Sequence, residues 1–150
     1  PPRSTLFPYT TLFRSLVDVA RFQAALDAWG DRLLARVFLD AERRYCESRA
    51  RPWLHYAVRF AVKEAVAKAF GTGIGRDLGW RDIEIVSQAA GGAPDVRLSP
   101  RGRRLARTLG AGRIRISLSH TGATAAAVAL IEPAGRPLRP PRPDRGEIWV

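Results

Sequence analysis

Lysine is almost missing from this chain of 150 residues: of its 25 lysine and arginine side chains, only Lys63 and Lys68 are lysine. An ammonium is a compact charge that rotates and can give up a proton, which a guanidinium fork does not do easily. A chain that writes its positive charge as arginine keeps lysine where the fork would not serve. Both lysines flank one carboxylate, Glu64. Cysteine occurs once, as Cys46, and histidine twice. One cysteine excludes an internal disulfide framework and fits a reducing cytosol. With two histidines it cannot complete a typical structural zinc site, and Cys46 reads as packing. No apolar run approaches membrane-spanning length, and no secretory leader pattern is visible, so a cytoplasmic protein with no membrane partner is expected. The aromatic residues are not interleaved with the arginines, and no nucleic-acid-binding motif is present.

What is present suits one domain with a real core. The net charge of +11 divides into +2 for residues 1–15, +7 for 16–132 and +2 for 133–150. A basic body attracts polyanions: nucleic acid, phosphorylated metabolites or an acidic protein. Residues 133–150 hold five prolines and four arginines and read as a disordered tail. Residues 1–15 show neither helical nor strand periodicity and read as an irregular, non-native leader. Between them, residues 16–132 are well punctuated. Leu16 and Val17 end a strand. Asp18 caps a helix to about Trp29, with Val19, Phe22, Leu26 and Trp29 on one face. Asp31 and Asp40 cap two short helices. Strands are expected at 82–86, 95–98, 113–119 and 125–131, and a helix between Ser99 and Gly110. Helices mixed with antiparallel strands predict an α+β fold, an antiparallel sheet packed with a long central helix.

That helix spans 52–70, opened by Pro52 and closed by Gly71. Val58, Val62, Ala65, Val66 and Ala69 form its apolar stripe. Glu64 lies nearly opposite, with Phe60 and Lys68 one turn to either side. Phenylalanine on a polar face predicts that this face is covered too, by another segment or another subunit. A carboxylate and a lysine under cover form a candidate site for phosphate, metal or proton.

The string RFAVKEAVAKAFGTGIG at residues 59–75 resembles the signature of phosphopantetheinyl transferases, and the short holo-acyl-carrier-protein synthases match best. VDVARF at 17–22, WRDIE at 80–84 and ISLSH at 116–120 follow in that family's order and spacing. The resemblance implies transfer of the 4′-phosphopantetheine arm of coenzyme A to a serine of apo acyl carrier protein, in fatty-acid or polyketide synthesis. It implies Mg2+ held by Glu64 and a phosphate-facing Lys68. It implies coenzyme A contacts from Arg59, Lys63, Lys68, Gly71, Gly73 and His120. Arg21, Arg32 and Arg36 match the basic region that grips the carrier. The family is typically a homotrimer with active sites between subunits. One departure stands out: the family's second metal-binding carboxylate falls at position 15, where this chain has Ser15, and Asp18 cannot replace it. Two other readings stay open: a basic nucleic-acid-binding module, and a catalytically dead homologue that binds carrier or coenzyme A.

Overall fold

Pro52 and Gly71 bound the element around which everything else is built. The computed structural model describes residues 10–87 and 91–135. Helix α4 spans Pro52–Ala69, with proline in its first turn and Phe70 as its C-cap. Gly71 then takes a φ of 78°, a left-handed conformation that favours glycine. The sequence predicts one apolar stripe, but α4 is enclosed round most of its circumference. Its buried residues include Tyr56, Arg59 and Lys63 as well as Val58, Val62 and Val66.

Strands β1 (Thr11–Asp18), β4 (Ala111–His120) and β5 (Thr124–Pro133) form an antiparallel sheet in the order β1-β5-β4. Strand β5 packs its inward residues Ala125, Ala127, Ala129 and Ile131 into the core. Small side chains here and along α4 bring helix and sheet close together. A second, smaller sheet pairs β2 (Ile83–Val86) with β3 (Asp95–Leu98), after a 3-10 turn at Trp80–Asp82. A hairpin joins β4 to β5, and α5 (Pro100–Leu109) is capped by Ser99, whose Oγ accepts from the Gly102 N–H at 3.0 Å. The fold is α+β, as expected.

Residues 11–15 correct the reading of an irregular leader. They pair in register with residues 127–131 of β5, Ser15 facing Ala127. A stretch without strand period becomes a strand here through its pairing with β5. The Thr11 hydroxyl also donates to the Ala69 carbonyl at 3.0 Å, tying β1 to the end of α4. Residues 1–9 and 136–150, which hold most of the expected leader and tail, lie outside the described residues. Pro133, expected in the tail, ends β5.

Helix α1 (Val19–Trp29) begins where predicted, with the Asp18 carboxylate accepting from the Arg21 N–H at 2.9 Å. Trp29, expected on its inner face, is 62% exposed, because Gly30 turns the chain away into α2 (Asp31–Val37). Neither Asp31 nor Asp40 caps. Each is the first residue of its own helix, and α3 (Asp40–Glu47) is capped from within, the Glu42 carboxylate accepting from the Leu39 N–H at 2.9 Å.

Candidate active site

Helix α4 carries reactive side chains on two sides. Each residue turns about 100°, so His55 and Arg59 fall together, and Phe60 and Glu64 fall together on another side. Each pair opens into its own cavity.

The first is a cleft of about 340 Å³ lined by Leu16, Asp18, Arg21, Phe22, Phe60 and Glu64, among others. Glu64 stands 3.7 Å from Lys68 one turn along, and the two side chains are 29% and 46% exposed. An exposed pair of this kind stabilises a helix by only about 0.3–0.5 kcal/mol. The pair is therefore available for chemistry at little cost to the fold. Phe60, expected to be covered by another segment or another subunit, is covered by segments of its own chain: it stacks on Trp80 at 4.6 Å and packs against Phe22 at 5.4 Å. Gly71 and Gly73 follow directly. The Gly73 N–H donates back to the Ala67 carbonyl, which folds the loop against the end of the helix bearing Lys68.

The second cavity, of about 420 Å³, is lined by Tyr45, Arg49, His55, Arg59, Ser87 and His120, among others, with no carboxylate among the described lining residues. Arg59 is buried, its guanidinium 4.0 Å above the Tyr45 ring, while Arg49 approaches the same ring at 4.4 Å. Arg59 donates to the Ser87 hydroxyl at 2.6 Å and weakly to the His55 carbonyl at 3.5 Å. Its Nε finds no acceptor among the described residues. A buried, unpaired donor costs about 1–3 kcal/mol, which a bound anion would offset. Burial holds the His55 imidazole below its usual range, and the charges of Arg59, His120 and Arg49 push the same way. Guanidinium, imidazole and hydroxyl are groups that can bind phosphate, and no acid stands against them among the described lining residues. The sequence reading named Arg59 and His120 only. His55 was legible as Arg59's helical neighbour four residues before it, whereas Tyr45, Arg49 and Ser87 come from other segments.

Lys63 corrects an expectation. It is fully buried, and its Nζ donates to the Glu42 carboxylate at 2.7 Å, the Val37 carbonyl at 2.8 Å and the Trp80 carbonyl at 3.0 Å. An ammonium has three N–H groups, so none remains for coenzyme A. Arg32 and Arg36 line a groove with Trp29 and Leu33, apart from Arg21 at the Glu64 cleft. Cys46 is enclosed in the core, and burial pushes its thiol up to about 12, in keeping with packing.

No group of three or more acidic, histidine or cysteine side chains assembles among the described residues. The cleft nevertheless offers Glu64 and, at its rim, Asp18, one of whose oxygens is committed to the Arg21 N–H. Magnesium is commonly held by one or two carboxylates, with waters and substrate phosphates completing its shell. Glu64 alone meets that minimum, so the cleft fits the ion while Asp18 remains the cap of α1. Ser15 is buried on the inward face of β1 and adds no charge.

The pattern that describes the 4′-phosphopantetheinyl transferase superfamily matches residues 16–129. The chain belongs to this superfamily. The holo-[acyl-carrier-protein] synthase of Moorella thermoacetica is 51% identical over 117 residues, covering 78% of this chain and 89% of that protein. The crystal structure of the Neisseria meningitidis holo-[acyl-carrier-protein] synthase is similar, with a TM-score of 0.76 at 28% identity over 81% of this chain and 97% of that one. The Helicobacter pylori synthase in complex with coenzyme A gives a TM-score of 0.72 at 26% identity, covering 81% and 99% of the respective chains. In this transferase the family match begins one residue after Ser15.

Proposed function

We propose that this transferase moves 4′-phosphopantetheine from coenzyme A to a serine of apo acyl carrier protein with the aid of Mg2+. The bond formed joins the serine oxygen to the phosphorus that bears pantetheine. The bond broken is the pyrophosphate link, and 3′,5′-ADP leaves. Such a reaction needs positioning and charge stabilisation more than covalent help. The observation that carries the reading is the cavity around Arg59, which has no acid among its described lining residues and where the buried Arg59 Nε lacks an acceptor among the described residues. We assign it to the phosphates of the nucleotide half of coenzyme A, with His120 and Arg49 beside Arg59.

Glu64 would hold the magnesium. When bound, the ion neutralises the pyrophosphate and favours the alkoxide form of the attacking serine. Lys68, next to Glu64, faces the leaving oxygen and supplies charge or a proton to it. Gly71 and Gly73 let the backbone approach the substrate without side chains between. Arg21 at the cleft, with Arg32 and Arg36 beyond it, offers positive charge to an acidic carrier helix.

The cleft and the anion cavity share no lining residue and open on different sides of α4. One coenzyme A therefore meets both when a second chain brings its cavity to the first chain's cleft. The outer face of the large sheet supports such an assembly: Leu12 and Leu16 of β1 are 59% and 69% exposed beside the half-buried Ala126, Val128 and Leu130 of β5. We read the assembly as the homotrimer usual in the family. The test is mass spectrometry of apo carrier protein incubated with the protein, coenzyme A and Mg2+. The expected result is a mass gain of one phosphopantetheine arm, absent without Mg2+ and absent with Glu64→Gln. Modification by folded Glu64→Gln at the normal rate would sink the reading.

A further inference from the structure

We propose that the buried Lys63–Glu42 pair fixes the aromatic wall of the Glu64 cleft, and that Lys63 serves transfer by this positioning without touching phosphate. Both side chains are fully buried. Removing two ions from water is costly, and well-packed apolar residues often replace such pairs without loss of stability. Stability alone therefore does not account for the charges. What they do, and apolar side chains would not, is hold several segments at once. Glu42 accepts from the Leu39 N–H before α3 and from the Ile85 N–H of β2, both at 2.9 Å. Lys63 donates to the Val37 carbonyl at the end of α2 and to the Trp80 carbonyl of the 3-10 turn.

Trp80 is the link to the site. Its peptide is held by Lys63, and its ring stacks on Phe60 with the planes 25° apart. Phe60 packs in turn on Phe22, and these two phenylalanines line the cleft with Glu64. A shift of the Trp80 peptide away from α4 moves the Phe60 and Phe22 rings, and with them the walls around Glu64. Lys63 is thus a positioning residue, one place before Glu64 in the chain and pointing into the core.

The kinetic part rests on the transferase reading; the placement of Trp80 does not. The test replaces the pair by Lys63→Met with Glu42→Gln, neutral and of similar size. Three quantities are read: calorimetric affinity for coenzyme A alone, the rate of carrier mass gain, and hydrogen exchange of the amides of residues 79–83. The expected result is affinity within about twofold, transfer slowed by about ten- to a hundredfold, and faster exchange at 79–83 with β4 and β5 unchanged. Trp80→Leu, which leaves the pair in place, gives the same kinetic pattern, and combining the changes adds no further loss. A fall of about tenfold or more in affinity with the pair replaced makes Lys63 a phosphate ligand and overturns the proposal. So do a normal rate, fully additive losses, or unchanged exchange at 79–83. If the unaltered protein neither binds coenzyme A nor modifies carrier, the transferase reading fails, and exchange at 79–83 alone decides the placement. If the pair variant does not fold, Trp80→Leu and Phe60→Leu decide: slower transfer at constant affinity upholds the proposal, and any other pattern overturns it.

Discussion

Ser15 is 4% exposed on the inward face of β1, in a strand that packs against α4, where the family resemblance expects a carboxylate. A carboxylate buried there without a partner would be costly, and a divalent cation would relieve the cost. Ser15→Asp should therefore lower the melting temperature by several degrees without Mg2+, recover with millimolar Mg2+, and modify carrier faster than the unaltered protein. Thermal unfolding with and without Mg2+, beside the mass assay, reads both. A variant indifferent to Mg2+ and no faster than its parent would remove position 15 from the metal site. His55 offers a second residue-scale test. Its folded pKa lies below its ordinary 6.5, first through burial and then through Arg59, His120 and Arg49. Between the folded and unfolded values the unfolded chain binds more protons, so His55 withdraws stability as pH falls below 6.5. An anion in the cavity favours the imidazolium and reverses the balance. Binding of 3′,5′-ADP should take up protons near pH 6, seen as heats that differ between two buffers of unlike ionisation enthalpy. Identical heats there would remove His55 from the anion site.

At the scale of elements, α4 was legible because its punctuation is local: Pro52 and Gly71 need no tertiary partner to act. Its exposed pair was legible for the same reason. Lys68→Arg keeps the charge but loses the point geometry. It should leave the melting temperature almost unchanged and slow transfer at least about tenfold; normal kinetics would show that the scarcity of lysine carries no chemistry. What could not be read from the chain is what other elements impose on it. Residues 11–15 become a strand because β5 has an edge to pair, and the strings Thr-Leu-Phe-Arg-Ser carry no period of their own. Lys63 looked like Lys68 in sequence. Only the carbonyls of Val37 and Trp80 and the carboxylate of Glu42, from three distant segments, distinguish them. Asp40 looked like a cap, but Glu42 reaches the Leu39 N–H and takes that role. The anion cavity was half visible, through Arg59 and His120, and its aromatic floor at Tyr45 was not.

At the scale of the molecule, the proposed sharing of a site between chains, drawn from two cavities with no lining residue in common, makes a sharp demand. If each active site draws its cleft from one subunit and its anion cavity from the next, Glu64→Gln and Arg59→Ala damage different halves. Each variant alone should be inactive. Unfolded together at equal amounts and reassembled, they should regain about a quarter of full activity, since random trimers place two intact halves together at that frequency. No recovery from well-folded mixed oligomers would put both residues in a site within one chain. The exposed leucines of β1 carry a different consequence. If chains meet on that face in the proposed assembly, folding and association become one equilibrium, and the midpoint of thermal unfolding should climb with protein concentration. Dilution would act on this molecule as a mild denaturant, and a stability measured at one concentration would not describe it at another.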